Sequence, residues 1–210
     1  MPMELRKRKA PAEPKDAQVA RKRTSTKASA PKVKESKPKA AETKKSAPKP
    51  SSLEVPTVGT VLDLEQYQDE IQLQDGTATS LKALLESSKD GVVFFTYPKA
   101  STPGCTRQAC LFRDRYDNLS STGLSIYGLS TDSPNANTKF KEKHNLPYPL
   151  VCDPSAKLIG PIGLKKQPKG TIRGVFAVNK AGEVLLLKAG GPEATVALVE
   201  KLVAGDSDAD

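Results

Sequence analysis

From about residue 53 onward the apolar positions fall into short blocks, each bounded by turn residues. "ATSLKALLESS" (78–88) predicts a short helix after the "QDG" turn. "GVVFFTY" (91–97) is β-branched and aromatic, the composition of a buried strand. A helix is expected to begin at Pro103, a favoured first-turn residue, with Thr102 as its N-cap. "LSIYGLS" (124–130) predicts a second strand. "SPNANTKFKEKHN" (133–145) predicts a helix, announced by Ser133 before Pro134. "YPLVCD" (148–153) reads as a strand and "SAKLIGPIG" (155–163) as a short helix. "IRGVFAVNKAGEVLLLK" (172–188) is two apolar runs around "NKAG", a β-hairpin. "GPEATVALVEKLVAG" (191–205) closes with an amphipathic helix, and residues 54–67 lead in as strand or loop. Strands alternating with helices, followed by a hairpin and a helix, predict an α/β sheet covered on both faces. That order is compatible with a thioredoxin-like fold.

Residues 1–52 follow no such pattern. They are built from Lys, Ala, Pro, Ser, Thr and Glu without an aromatic residue. Such a segment cannot bury enough apolar surface to offset its chain entropy, so a disordered tail is expected. Charge sharpens the boundary. The chain carries +9 overall, but residues 1–52 hold 16 Lys and Arg against 5 Asp and Glu, leaving 17 against 19 for the rest. All the excess positive charge therefore lies in the tail. Two basic clusters, Arg6, Lys7, Arg8, Lys9 and then Arg21, Lys22, Arg23, are spaced like a bipartite nuclear import signal. The expectation is a nuclear protein met by an import receptor. The lysine-rich stretch that follows would contact phosphate backbones weakly and in a salt-dependent way. It has no aromatic side chain to stack on bases. Residues 206–210, "DSDAD", form an acidic C-terminal tail. The expected domain thus runs over residues 53–205.

Three cysteines in 210 residues do not make a disulfide framework, which favours a reducing compartment. The N-terminus lacks the apolar run of a signal peptide, and no stretch approaches membrane-spanning length. No membrane association is expected. Neither GxxxxGK[ST] nor a GxGxxG after a strand occurs, so nucleotide binding has no support.

The chemistry concentrates in "YPKASTPGCTRQACLFRD" (97–114), which holds Cys105 and Cys110. Cys105 falls where a buried strand gives way to a helix. Helix N-termini carry unpaired N–H groups and partial positive charge, and both favour a thiolate over a thiol. Pro103 stiffens the turn, and Gly104, without a Cβ, would let a small substrate approach the backbone. Five residues along an ideal helix separate two Cα atoms by about 8.7 Å. A disulfide needs roughly 4.4–6.8 Å. The pair therefore cannot bond within one intact helix. The spacing suits a cycle in which Cys105 is oxidised first and Cys110 then reaches it as the helix unwinds.

Pro98, Thr102 and Cys105 match P-x-x-x-T-x-x-C, and the full stretch resembles the peroxiredoxin family, in particular its peroxiredoxin Q or bacterioferritin comigratory protein subfamily. The basic extension is similar in character to that of fungal nuclear thiol peroxidases. The resemblance covers about residues 54–204. It implies a thioredoxin-like, peroxiredoxin-type fold and a thioredoxin-dependent, atypical two-cysteine peroxidase acting on hydrogen peroxide and alkyl hydroperoxides without a cofactor or metal. Cys105 would be the peroxidatic thiol and Cys110 the resolving thiol, joined in an intramolecular disulfide. Thr102 would hydrogen-bond thiolate and peroxide, Pro98 would shield the pocket, and Arg173 would stabilise the thiolate and polarise the O–O bond. An intramolecular cycle needs no second subunit, so a monomer is the simplest expectation.

Other residues read more plainly. Arg107, Arg113 and Arg115 are expected to be solvated helix charges. Cys152 reads as a small packing hydrophobe. His144 falls at a helix C-terminus, where a cation suits the dipole. Two other functions compete with a peroxidase. One is a nuclear thiol redox sensor, and the other is a chromatin-associated binding protein whose tail contacts nucleic acid.

Overall fold

The computed structural model describes residues 55–205. The whole expected tail 1–52, with the basic clusters at 6–9 and 21–23, and the acidic residues 206–210 lie outside them.

A 3-10 helix at Leu64–Tyr67 precedes β1 (Ile71–Leu73) and β2 (Ala78–Thr79), a small hairpin. Then follow α1 (Leu81–Ser87), β3 (Gly91–Thr96), α2 (Pro103–Asp114), α3 (Tyr116–Ser120) and β4 (Leu124–Ser130). The chain ends with α4 (Pro134–His144), β5 (Leu150–Cys152), β6 (Gly174–Asn179), β7 (Val184–Ala189) and α5 (Pro192–Ala204). The seven strands form one sheet in the order β2-β1-β5-β4-β3-β6-β7. β3, β4 and β5 run parallel, while β6 pairs antiparallel with both β3 and β7. This mixed sheet with helices on its faces is the expected thioredoxin-like α/β fold.

The apolar run of β3 is buried throughout because both sheet faces are covered. Val92 and Phe94 face a core shared with Leu81, Leu84 and Leu85 of α1. Val93 and Phe95, with Tyr97 just beyond the strand, face the opposite core. There they meet Ala109 and Phe112 of α2, Phe140 of α4, and Val196 and Val199 of α5. Period-two alternation thus divides one strand between two helical layers.

Three expectations fail locally. Residues 78–79 are strand, and α1 starts only after Ser80, whose hydroxyl accepts from the Ala83 N–H at 3.2 Å. The Asp75–Gly76 turn, with Gly76 at φ 87°, folds this short segment back onto β1. Residues 155–163 form turns instead of a helix. The Asp153 carboxylate accepts from the N–H groups of Lys157, Leu158 and Ile159, and Gly163 sits at φ 77°. The lead-in at 54–67, expected as strand or loop, carries the 3-10 helix at Leu64–Tyr67. The other expected elements are present, with ends moved by at most two residues. The helix from Pro103 breaks at Arg115, which separates α2 from α3. Among the described residues no helix is long and apolar enough to cross a membrane.

Candidate functional site

Tyr97 ends the run begun by β3 and is fully buried. Its hydroxyl donates to Asn137 of α4 at 2.9 Å, and its ring packs on Phe95. The chain then turns sharply before α2. The Ala100 N–H donates to the Asp132 carboxylate at 2.6 Å, and Ser101 takes a left-handed φ of 61°. A non-glycine residue held there stores backbone strain, which persists because the surrounding contacts fix the turn. The turn delivers Pro103 and Gly104 as the first two helical residues and Cys105 as the third.

The first helical bond runs from the Thr106 N–H to the Thr102 carbonyl at 2.8 Å. The N–H groups of Gly104 and Cys105 precede it, so helix geometry gives them no acceptor within α2. Cys105 is only 1% exposed, whereas Pro98, Lys99, Ser101 and Pro103 in the turn before it are exposed. A reactant reaching the sulfur therefore meets a largely desolvated thiol at the positive end of a helix.

Arg173 lies just before β6, which pairs directly with β3, and this adjacency brings it to Cys105. Its Nη2 donates to Cys105 Sγ at 3.3 Å. Its Nη1 donates to the Gly104 carbonyl at 3.2 Å and to Gln108 Oε1 at 2.5 Å. A fully buried Gln108 then donates through Nε2 to Thr195 of α5 at 3.0 Å, and the Thr195 hydroxyl donates to the Pro192 carbonyl. A chain of buried polar groups thus holds the planar guanidinium against the sulfur.

The structure brings Cys105 and Arg173 together, and Gly104 lies against the same guanidinium. A Cβ on Gly104 would sit 3.2 Å from Arg173 Nη2, so the missing side chain makes room for the guanidinium. Thr102 takes the N-cap backbone position without capping the helix. Its hydroxyl donates to the Lys99 carbonyl at 3.0 Å, which uses its single proton and leaves the oxygen as an acceptor. Pro98 is exposed. No local sequence signal marks Gln108 or Thr195. A glutamine three residues after a cysteine looks like a helix-surface residue, and only the packing of α2 on α5 buries it.

Both thiols are free, and both lie in the unbroken helix α2. Cys110 is half-buried and accessible. Arg107 pairs with Glu193 and Arg115 with Glu200 at 3.0 Å on the helix surfaces, whereas Arg113, expected to be a solvated charge, is half-buried, pairs with Asp114 at 2.8 Å and donates to the His144 carbonyl. Cys152 is buried, accepts from Asn137 Nδ2 at 3.1 Å, and has its thiol pushed up by that burial. His144 does end α4, but its pKa is lowered by partial burial and by the charges of Lys143 and Arg113. Among the described residues no group of three or more His, Cys, Asp and Glu side chains could hold a metal ion.

A sequence profile described as the AhpC/TSA family matches residues 65–186. Peroxiredoxin bcp1 of Schizosaccharomyces pombe is 38% identical over 116 residues, 55% of this chain and 60% of that protein. A chloroplastic peroxiredoxin Q of Gentiana triflora is 38% identical over 116 residues, 54% of this chain and 52% of its own length. The matches thus span little more than half of these two relatives. Among solved structures, peroxidoxin BcpB from Mycobacterium tuberculosis aligns with a TM-score of 0.63 and 29% identity, covering 70% of this chain and 96% of that one. Xanthomonas campestris peroxiredoxin Q aligns with a TM-score of 0.63 and 25% identity, over 75% and 98% of the two chains.

Proposed function

Because the chain belongs to the AhpC/TSA family, we propose that it is a thiol peroxidase that reduces hydrogen peroxide and alkyl hydroperoxides through Cys105. The observation that carries this reading is the Arg173 guanidinium held 3.3 Å from Cys105 Sγ at the start of α2. The Cys105 thiolate attacks the terminal peroxide oxygen. An S–O bond forms as the O–O bond breaks, and water or an alcohol leaves. Arg173 and the N–H groups of Gly104 and Cys105 stabilise the charge that moves from sulfur onto oxygen. Thr102 accepts a hydrogen bond from the peroxide. The resulting Cys105 sulfenic acid is then attacked by Cys110. Since both thiols lie in one helix, α2 opens locally before the disulfide closes.

A dithiol of the thioredoxin type reduces that disulfide by thiol exchange, and the cycle runs within one monomer without a cofactor. The basic clusters at 6–9 and 21–23 direct the enzyme to the nucleus, where it removes peroxide near nucleic acid. Intact mass spectrometry with thiol counting, after one equivalent of hydrogen peroxide, tests the chemistry. Wild type should lose two hydrogens, and Cys110→Ser should hold a trappable sulfenic acid on Cys105. No rapid oxidation at Cys105 would leave the redox-sensor and chromatin-binding readings in its place. Removing residues 1–52 should abolish nuclear accumulation and spare peroxidase activity. Activity lost with the tail would refute the assignment of the chemistry to the folded domain.

A further inference from the structure

The stretch of α2 that must open for Cys110 to reach Cys105 is held from outside the helix. The Tyr148 hydroxyl donates to the Ala109 carbonyl at 2.6 Å. That carbonyl belongs to the peptide unit whose nitrogen is the Cys110 nitrogen. This is the unit that swings when the Cys110 sulfur moves toward Cys105. Tyr148 itself is firmly placed, between α4 and β5 and fully buried. Its ring meets Phe95 edge-on with centroids 5.4 Å apart, and Tyr116 lies against it at 5.9 Å. Its own carbonyl accepts from Lys141 Nζ at 2.6 Å. A second tie lies one turn further along α2, where Arg113 Nη1 donates to the His144 carbonyl at 2.8 Å. The Cys105 end is held separately, through Arg173 and Gln108.

We propose that the Tyr148 hydroxyl is a latch on α2 that sets how fast Cys110 reaches oxidised Cys105. Tyr148 is thus a positioning residue for disulfide formation and takes no part in peroxide reduction. The inference rests on the two-thiol cycle proposed above. In the step it controls, the Cys110 thiolate attacks the Cys105 sulfur. The S–S bond forms as the S–O bond breaks, and the departing hydroxide takes a proton to become water. While the latch is closed, the sulfenic acid stays exposed to a second peroxide. That reaction would give sulfinic acid and water. The latch therefore sets the balance between turnover and overoxidation. The tyrosine also satisfies a buried hydroxyl, as any interior phenol must. A purely structural role predicts loss of stability without a change in the rate of disulfide closure.

Tyr148→Phe keeps the ring and removes only the donor. The full-length variant is mixed with hydrogen peroxide, quenched at intervals and read by intact mass. A first phase, proportional to peroxide, reports Cys105 oxidation. A second, independent of peroxide, reports the disulfide. The second phase should be about fivefold faster in the variant, the effect of one lost hydrogen bond on the opening equilibrium. The first phase should be unchanged, and less sulfinic acid should accumulate at high peroxide. In the reduced variant, amides of residues 106–110 should exchange faster, with those of β3 and β4 unchanged. Arg113→Lys keeps the positive charge and shortens the reach to His144, so it should also speed the second phase. If wild type shows the second phase and neither variant accelerates it, the latch is refuted and the two-thiol cycle stands. If wild type shows no second phase, both fall together.

Discussion

Replacing Arg173 with alanine removes the one cation in contact with the Cys105 sulfur. At the 3.3 Å separation of Nη2 and Sγ, two unit charges would interact by about 1.3 kcal/mol in bulk water and about 5 kcal/mol at an effective dielectric of about 20. Arg173 is half-buried, so the value lies between these limits. Only stabilisation greater in the transition state than in the resting thiolate accelerates the reaction. Removing one oriented donor from a preorganised site commonly costs about 100- to 1000-fold in rate. The expected outcome for Arg173→Ala is therefore a rate constant for Cys105 oxidation about 100-fold below wild type. The Gln108 carbonyl oxygen would lose its donor as well, and leaving such a buried acceptor unpaired costs about 1–3 kcal/mol of stability. Arg173→Lys separates charge from geometry. An ammonium keeps the charge but cannot reproduce the planar fork shared among Cys105, Gly104 and Gln108, so about a tenfold loss is expected. The chain has no tryptophan, so rapid-quench mass spectrometry is the assay. A rate for Arg173→Ala within threefold of wild type would refute the electrostatic account.

Gln108→Leu should slow the first oxidation by about tenfold with Arg173 intact, because the guanidinium loses its buried anchor while its charge remains; an unchanged rate would make the Gln108 bridge dispensable. Cys152 should resist iodoacetamide at pH 8 in the folded protein, while Cys110 reacts, as peptide mapping of the alkylated chain would reveal; early labelling of Cys152 would contradict its burial. Burial raises the phenol pKa values of Tyr97 and Tyr148. A raised folded-state pKa gives stability that is present below the unfolded value near 10 and lost as pH rises above it. Between pH 9 and pH 11 the two together should lower unfolding free energy by roughly 3 kcal/mol, measured by urea titration. Equal stability at the two pH values would refute that.

Much of the fold is readable from local pattern. The apolar run at 91–96 is buried on both faces because β3 lies inside the sheet, with a core packed against each face. Ser133, Pro134 and Asn145 bound α4 by capping rules that act over a few residues. Where the expectations fail, a nearby strand or carboxylate takes the backbone groups that a helix would use. Residues 78–79 are strand because β1 offers an edge to pair with. Residues 155–163 turn because Gly160, Pro161 and Gly163 interrupt any helix while Asp153 gathers the freed N–H groups.

The candidate site divides in the same way. A cysteine three residues into a helix, and a second five residues on in that helix, follow from local spacing, which a window of a few residues contains. The meeting of Cys105 with Arg173, 68 positions away, depends on β3 pairing with β6. The burial of Gln108 depends on α5 packing over α2, and the hold of Tyr148 on Ala109 depends on the path from α4 into β5. Side-chain period and capping are properties of neighbouring residues, so the sequence carries them openly. Contacts between distant residues arise only when the sheet order closes the chain on itself, and the environment of the sulfur is made almost wholly of such contacts.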